Sequence, residues 1–531
     1  MSLITVKNLS VDFIAKNSAM HALKNASLAV KKNEILGIVG ESGSGKSTLI
    51  KSILRILSAP GLITSGEVFF NNVDILKLND SELNDIRWKE ISFVKQKALN
   101  SLNPVKTIGD QLVLPYVFHK SYTKSQATES AYKLLDLVKI DHKYFDSYPH
   151  ELSGGMRQRI IIAIALALKP KLVIMDEPTT ALDVITEREI IKNILELKNE
   201  LGFSIIFITH DLNLLLQFAD KLCVLYDGSI IDSGTTETIK SGGNHEYTKK
   251  LLEAIPDINK SIIDTQDLTK NKVYSLKNIN VTYQLGSWIV PDDLKAVNNF
   301  SIDLYEGSIT ALIGESGSGK STIAKIITGL ERSQSGELFH FFDNGKQPVV
   351  FNMEYRKNIQ MIFQDPFSAL NSIHTVFHHL KRSYINFNIA SSNTIIKEKA
   401  IKALEMVDLS PAESFLTKYP HEMSGGECQR VCIARALISK PKIIIADEPT
   451  SMLDVSIREE ILKLFVRLKD QYSLSVLFIT HDIASAAMIS DEMVVLKEGS
   501  VVDIGSPESI INNSKDKYTK QLIKASTSKV L

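Results

Sequence analysis

Two nine-residue stretches have the residue types and spacing for phosphate chemistry: GESGSGKST at Gly40–Thr48 and the same nine residues at Gly314–Thr322. Gly40, Gly43 and Gly45, with Gly314, Gly317 and Gly319, let the backbone wrap close enough for its N–H groups to face an anion. A following helix adds the positive end of its dipole. Lys46 and Lys320 can then reach the β- and γ-phosphates of a nucleotide, and Ser47 and Ser321 can offer a hydroxyl to Mg²⁺. Thr48 and Thr322 come next, in the first helical turn, and are candidate cofactor contacts as well. LVIMDEP (Leu172–Pro178) and IIIADEP (Ile443–Pro449) each put two carboxylates at the end of an apolar run. Asp176 and Asp447 suit Mg²⁺, directly or through water; Glu177 and Glu448 suit the water that attacks a γ-phosphate. His210 and His481, each closing another apolar run, can contact that phosphate and position the water. A D-E-P at a strand end can simply open a loop, and a lone histidine is more often structural. The phosphate loop upstream and the repeated spacing decide against both bland readings.

These groups need elements to hold them, and the sequence supplies the same set twice. Ser153 of LSGGM precedes Asp176 by 23 positions and Ser424 of MSGGE precedes Asp447 by 23; each aspartate precedes its histidine by 34. The two lysines are 274 positions apart and the later landmarks 271, so the second copy is three residues shorter after its phosphate loop. Two tandem domains account for this. Each phosphate loop follows a short strand, Ile35–Val39 or Ile309–Ile313, and leads into a helix, Ser47–Leu57 or Ser321–Leu330. Strand-like stretches open each copy, at Ile4–Phe13 and Ala26–Val30, then at Tyr274–Tyr283 and Phe300–Leu304. A mostly helical section spans about Pro104–Ser147 and His374–Lys418, after which apolar runs alternate with helices such as Glu187–Leu201. Runs that are apolar throughout, separated by helices, predict a parallel sheet buried on both faces, an α/β fold. The expected domains are residues 1–256 and 272–531, with residues 257–271 as a polar linker; the tail should fray from about Ala525.

Composition narrows the class. The chain has 531 residues, too many for one core, and its 61 basic and 61 acidic side chains cancel, which disfavours a nucleic-acid face. Three cysteines, Cys223, Cys428 and Cys432, form no C-x-x-C pair, and fit a reducing compartment and small buried roles. No apolar run approaches the roughly 18 residues of a membrane span, and the N-terminus has no leader pattern. His374, His378 and His379 include an i,i+4 pair without a fixed acidic third ligand, and read as a solvated or partner-facing helix.

Taken together, GESGSGKST, LSGGMRQR, MDEPTTALD and ITHD resemble the nucleotide-binding cassette of ABC transporters, over nearly the whole chain apart from linker and tail. The resemblance implies two tandem cassettes, each a RecA-like core with an antiparallel β subdomain and a helical signature subdomain. It implies ATP and Mg²⁺ as cofactors, and head-to-tail pairing that closes each ATP with the other cassette's signature. The first site would comprise Lys46, Ser47, Gln96, Asp176, Glu177 and His210, closed by Ser424, Gly425 and Gly426. The second would comprise Lys320, Ser321, Gln364, Asp447, Glu448 and His481, closed by Ser153, Gly154 and Gly155. Gln96 and Gln364 match a glutamine that contacts Mg²⁺ and the attacking water. Phe13 and Tyr283 match the aromatic that stacks on adenine, and Asp183 and Asp454 match the loop through which the sites communicate.

YPHELSGGMRQR, YPHEMSGGECQR, SLNP and QDPFSALN resemble dipeptide, oligopeptide and nickel importers, as do the endings HEYTKKLLEAIP and KYTKQL. The order of the copies is similar to that of fused microcin C-type peptide importer ATPases. The implied function is ATP hydrolysis that drives peptide import. The implied partners are two integral-membrane permeases and, indirectly, an extracytoplasmic binding protein, with the chain peripheral to the cytoplasmic face of the inner membrane. Lys97 stands where the family has an acid, Ser372 where it has proline, and the family's cysteine cluster is missing. A ribosome-associated translation factor with two cassettes is the alternative; its long charged hairpin is absent from this sequence. The cargo is not legible, because no residue of such a motor touches it.

Overall fold

The computed structural model describes residues 2–15, 18–95, 101–179, 182–256, 258, 261–262, 271–287, 290–342 and 345–527. The chain divides into two compact units, nearly all of the first lying in sequence up to Ile255 and nearly all of the second after it. In the first, β1 (Ser2–Ala15), β2 (Ser18–Lys31), β4 (Gly61–Phe70) and β5 (Val73–Asp74) form an antiparallel sheet in the order β2-β1-β4-β5. The second sheet runs β10-β9-β3-β8-β7-β6, built from β3 (Ile35–Val39), β6 (Ile91–Val94), β7 (Leu172–Asp176), β8 (Ser204–Thr209), β9 (Lys221–Tyr226) and β10 (Ser229–Thr235). Its pairs are parallel except β9 with β10 at the edge.

The second unit repeats this plan. β11 (Lys272–Ser287), β12 (Val290–Tyr305), β14 (Ser335–His340) and β15 (Gln347–Pro348) make the antiparallel sheet. The other sheet holds β13 (Ile309–Ile313), β16 (Ile359–Ile362), β17 (Ile443–Asp447), β18 (Ser475–Thr480), β19 (Glu492–Lys497) and β20 (Ser500–Gly505), in the order β16-β17-β18-β13-β19-β20.

The apolar runs divide between two cores because side chains alternate along a strand. Ile35, Val39, Val173, Met175, Ile205 and Phe207 face the helical side, whereas Leu36, Ile38, Leu172, Ile174, Ile206 and Ile208 face the antiparallel sheet. A strand covered on both faces admits few charged groups along its length, and the aspartates come at its last position, where the chemistry begins.

The antiparallel strands run to 14 and 16 residues, longer than their sequence patterns indicate. Bulges allow it: the β1–β2 register shifts between Val6 and Leu9, where Asn8 and Asn25 take φ of 48° and 50°. Asn278 and Asn299 do the same in the second unit, at 51° and 49°. Asparagine tolerates this left-handed conformation better than other side chains.

Further boundaries differ from the sequence reading. Within the expected linker, Ile258 is buried beside Ala311 and Ile313, and the Ile262 N–H donates to the Met488 carbonyl at 2.8 Å. The last helix continues through Ala525 to Thr527 because Leu522 and Ala525 are buried. Among the described residues no helix is long and apolar enough to cross a membrane.

The helix after each phosphate loop ends on carbonyls that need donors, and the two units supply different ones. In the first, Arg87 Nη2 donates to the Leu54 and Arg55 carbonyls at 2.8 and 2.9 Å. In the second, the Tyr355 hydroxyl donates to the Ile327 carbonyl at 2.5 Å and meets the Tyr274 hydroxyl at 2.7 Å. Tyr355→Phe removes the partner of a buried carbonyl and of a buried phenol. The expected cost is about 1–3 kcal/mol, read as a lower urea midpoint for the second unit; an unchanged midpoint would contradict this role.

Candidate functional site

Strand order brings the chemical groups to one edge. β3 lies between β8 and β9, with β7 next to β8, so the residues following Val39, Asp176 and Thr209 leave the sheet at neighbouring carboxyl ends. β13, β17 and β18 repeat this. Such an edge is where open α/β sheets bind ligands.

Each phosphate loop is held by backbone crowding. Gly45 has φ of 104° and caps the helix Lys46–Ile53; a Cβ there would sit 2.6 Å from the Ala22 carbonyl oxygen. At Gly319, φ is 103° and the Cβ would lie 2.2 Å from the Ala296 oxygen. Only glycine fits either place. Lys46 Nζ donates to the Gly40 and Glu41 carbonyls at 2.5 and 2.7 Å, and Lys320 Nζ to those of Gly314 and Glu315 at 2.7 Å each. Burial lowers the Lys320 pKa, so an anion in the loop would find a poorly solvated cation facing it.

The carboxylates stand next to these loops. Ser47 Oγ donates to Asp176 Oδ2 at 3.1 Å and Ser321 Oγ to Asp447 Oδ1 at 3.3 Å. Burial raises the pKa of both aspartates against the effect of the serine hydrogen bond. Glu177 and Glu448 sit in the left-handed region, at φ of 47° and 45°. Their N–H groups donate to Ile208 and Ile479 on the adjacent strands at 2.9 Å, which pins a conformation that side-chain-bearing residues avoid. His210 Nδ1 lies 3.3 Å from Glu177 Oε1, and His481 Nδ1 lies 3.3 Å from Glu448 Oε2. Gln364 Nε2 donates to Glu448 Oε2 at 2.7 Å. In the second unit the contacts thus join Ser321 with Asp447 and Glu448 with both His481 and Gln364, while Lys320 is held by its own loop; in the first unit Gln96 and Lys97 lie outside the described residues.

The signature residues open their own helices. Ser153 accepts from the Met156 N–H at 3.3 Å, ahead of the helix Gly154–Leu166. Ser424 and Glu427 form a reciprocal capping box at the helix Gly425–Leu437. A Cβ on Gly155 would come within 2.7 Å of Thr186, and one on Gly426 within 2.6 Å of Ile457. Phe13 and Tyr283 are half-buried on the antiparallel sheets; Phe13 packs beside Leu57 and Gly61, and the Tyr283 hydroxyl donates to Glu331 at 3.4 Å. Asp211 and Asp482, the last letter of each ITHD, cap the next helix through the Leu214 and Ala484 N–H groups at 3.0 Å. Nothing in the sequence pattern alone marks this aspartate as a cap.

Other candidates are now bounded. All three cysteines are buried, which pushes the Cys223 and Cys428 thiols up to about 12 and Cys432 up to about 11. The His374 and His378 rings stack at 3.9 Å, and among the described residues no group of three or more His, Cys, Asp or Glu is arranged to hold a metal.

A family model described as ABC transporter matches residues 23–180 and 297–451, both phosphate loops and both D-E-P strands included. The chain belongs to the ABC transporter family. Its ABC cassettes bind ATP, and the protein is an ATPase. Along 99% of its length and 89% of theirs, the chain is 34% identical to the "Glutathione import ATP-binding protein GsiA" of Shigella dysenteriae and 33% identical to that of Escherichia coli K12. A solved dimeric ATP-binding cassette, in a post-hydrolysis state bound to ADP and Pi, is 32% identical over 44% of this chain and 98% of its own, with a TM-score of 0.40. The relatives give no support to the translation-factor alternative.

The glutamate–histidine contact of the second ABC cassette makes a testable titration. Burial opposes both charges, but the contact with His481 and the lysine nearby carry the Glu448 pKa below its ordinary 4.5, while Glu448 carries His481 above 6.5. The histidine contribution to stability is complete below about pH 6.5 and lost as pH rises through the folded His481 pKa. The glutamate contribution is complete above about pH 4.5 and lost as pH falls through its folded pKa. NMR of labelled histidine is expected to place the His481 midpoint above 6.5 and to lower it in Glu448→Gln; a midpoint indifferent to that substitution would contradict the pairing.

Proposed function

We propose that this protein is the ATP-hydrolysing motor of a membrane importer for peptide-like solutes, working from the cytoplasmic face of the membrane with two permease subunits as partners. The observation that carries the proposal is the pair of Ser–Asp and Glu–His contacts repeated beside each phosphate loop. Import, rather than another use of ATP, is supported by relatives named for glutathione import that match along almost the whole chain. Glutathione is a tripeptide thiol, so a small peptide is the cargo class favoured, delivered by an extracytoplasmic binding protein.

The donor set fits Mg²⁺. One hydroxyl and one buried carboxylate, 3.1–3.3 Å apart in the two units, are hard oxygen donors, and Mg²⁺ takes few protein ligands while keeping water and nucleotide phosphate oxygens. Bound there with ATP, Mg²⁺ neutralises charge on the phosphates. Ser47 and Asp176, and Ser321 and Asp447, would hold it, and Gln96 and Gln364 are the further candidate ligands.

Lys46 and Lys320, each seated on the first carbonyls of its loop, extend an ammonium toward the β- and γ-phosphate oxygens. Glu177 and Glu448 accept a hydrogen bond from the attacking water and aim it along the line of the breaking bond. His210 and His481 hold those glutamates in place and face the γ-phosphate. Ser153 and Ser424, with Gly154, Gly155, Gly425 and Gly426, open helices whose N-termini suit a γ-phosphate. Phe13 and Tyr283 offer ring faces to adenine.

Affinity capture of the full chain from native membranes in mild detergent tests the importer reading. Two multi-span permeases at comparable amounts are expected; recovery of ribosomal proteins at such amounts, with no permease, would overturn it.

A further inference from the structure

The last helix of the second cassette, Lys517–Thr527, delivers a tyrosine to the phosphate loop. Tyr518 is 4% exposed, and its phenol oxygen accepts the backbone N–H of Glu315 at 2.8 Å. That N–H and the Gly314 carbonyl are the two ends of one peptide unit, and the Gly314 carbonyl accepts from Lys320 Nζ at 2.7 Å. The first peptide plane of the loop is thus gripped at one end by the phosphate-loop lysine and at the other by a phenol 203 residues further along the chain. Hydrogen bonds arranged in series through a peptide polarise one another, so the phenol both orients the plane and strengthens the hold on the lysine.

The tyrosine is itself well fixed. Its ring packs in the cluster that contains Ile313, the last residue of the strand entering the loop, and Leu522 of its own helix. The Lys497 ammonium stands 5.3 Å from the ring centroid. Asp516 starts the helix by accepting from the Thr519 N–H at 2.8 Å and its hydroxyl at 3.2 Å. Burial, with the Glu315 carboxylate beside it, raises the phenol pKa, so the group stays a neutral hydrogen-bond partner.

We propose that Tyr518 is a positioning residue for ATP at the second phosphate loop: it sets the Gly314–Glu315 peptide, and through that peptide the seat of Lys320. The C-terminal helix acts as a buckle on the nucleotide site as well as a cover for the sheet. This rests on the reading of Gly314–Thr322 as an ATP-binding loop.

The test uses the full chain carrying Lys46→Ala, which leaves the second loop as the intact ATP site, and measures equilibrium binding of radiolabelled Mg·ATP. Adding Tyr518→Phe keeps the ring and removes the oxygen. It is expected to weaken binding roughly three- to tenfold, the size of one buried hydrogen bond, and to speed hydrogen exchange at the Glu315 amide. Leu522→Ala loosens the same helix without touching the phenol, and is expected to lower the melting temperature while keeping the affinity within about twofold. A Tyr518→Phe affinity within about twofold of its parent, or an equal loss in Leu522→Ala, would overturn the proposal. If the Lys46→Ala parent itself bound no ATP, the reading of the second loop would fall and this inference with it.

Discussion

Backbone crowding at two glycines is the constraint on which the rest of the structure depends. Gly45 and Gly319 leave no space for a side chain because the carbonyls of Ala22 and Ala296, on the antiparallel sheets, press against them. Gly40 and Gly314 are closed on another side, where a Cβ would meet the Leu225 or Leu496 carbonyl at 2.1 or 2.3 Å. The loop is therefore clamped between two sheets. Its N–H groups can face an anion only because both sheets arrive in register, which explains why each unit needs an antiparallel sheet that itself bears little of the phosphate chemistry. The β3 and β13 strands must sit centrally, with a neighbour on each side, for this to happen.

The two units keep the chemistry and vary what supports it. Ser–Asp and Glu–His distances agree within 0.2 Å between them. The helix end after the loop is capped by an arginine in one and by a tyrosine in the other. On the helical side, Lys139 pairs with Glu196 at 2.7 Å in the first unit, while Asp408 pairs with Arg467 at 2.9 Å in the second, the charges exchanged. Both pairs are exposed, so each contributes little and either arrangement is tolerated. A cap or a surface pair can be met by any suitable donor, whereas a phosphate cradle has one workable backbone path.

This difference also explains what was legible in the sequence. The phosphate loops, the D-E-P strand ends and the histidines were readable because glycine at a forced φ and a carboxylate at a buried strand end allow few substitutes. The parallel sheets followed from apolar runs such as LVIMD and IIIAD, which now divide residue by residue between two cores. Less was readable where a long-range partner decides. The extra length of β1 and β11 depends on asparagine bulges whose sequence signal is a single letter. Arg87, Tyr355 and Tyr518 act through carbonyls or amides far away in the chain, and backbone groups leave no mark in a sequence. The KYTKQL ending is distinctive, yet nothing local in it ties its tyrosine to Glu315. Ile258 and Ile262 are two of four apolar residues in a polar stretch of fifteen, too sparse to mark a packed segment.

The proposed function makes Glu177 and Glu448 act on water and not on nucleotide binding. The most direct measurement is ATP stoichiometry and turnover in the double variant Glu177→Gln/Glu448→Gln of the full chain. Two Mg·ATP bound per chain, with hydrolysis reduced by roughly 10² or more, is expected. Hydrolysis at the wild-type rate, or loss of ATP binding, would contradict it.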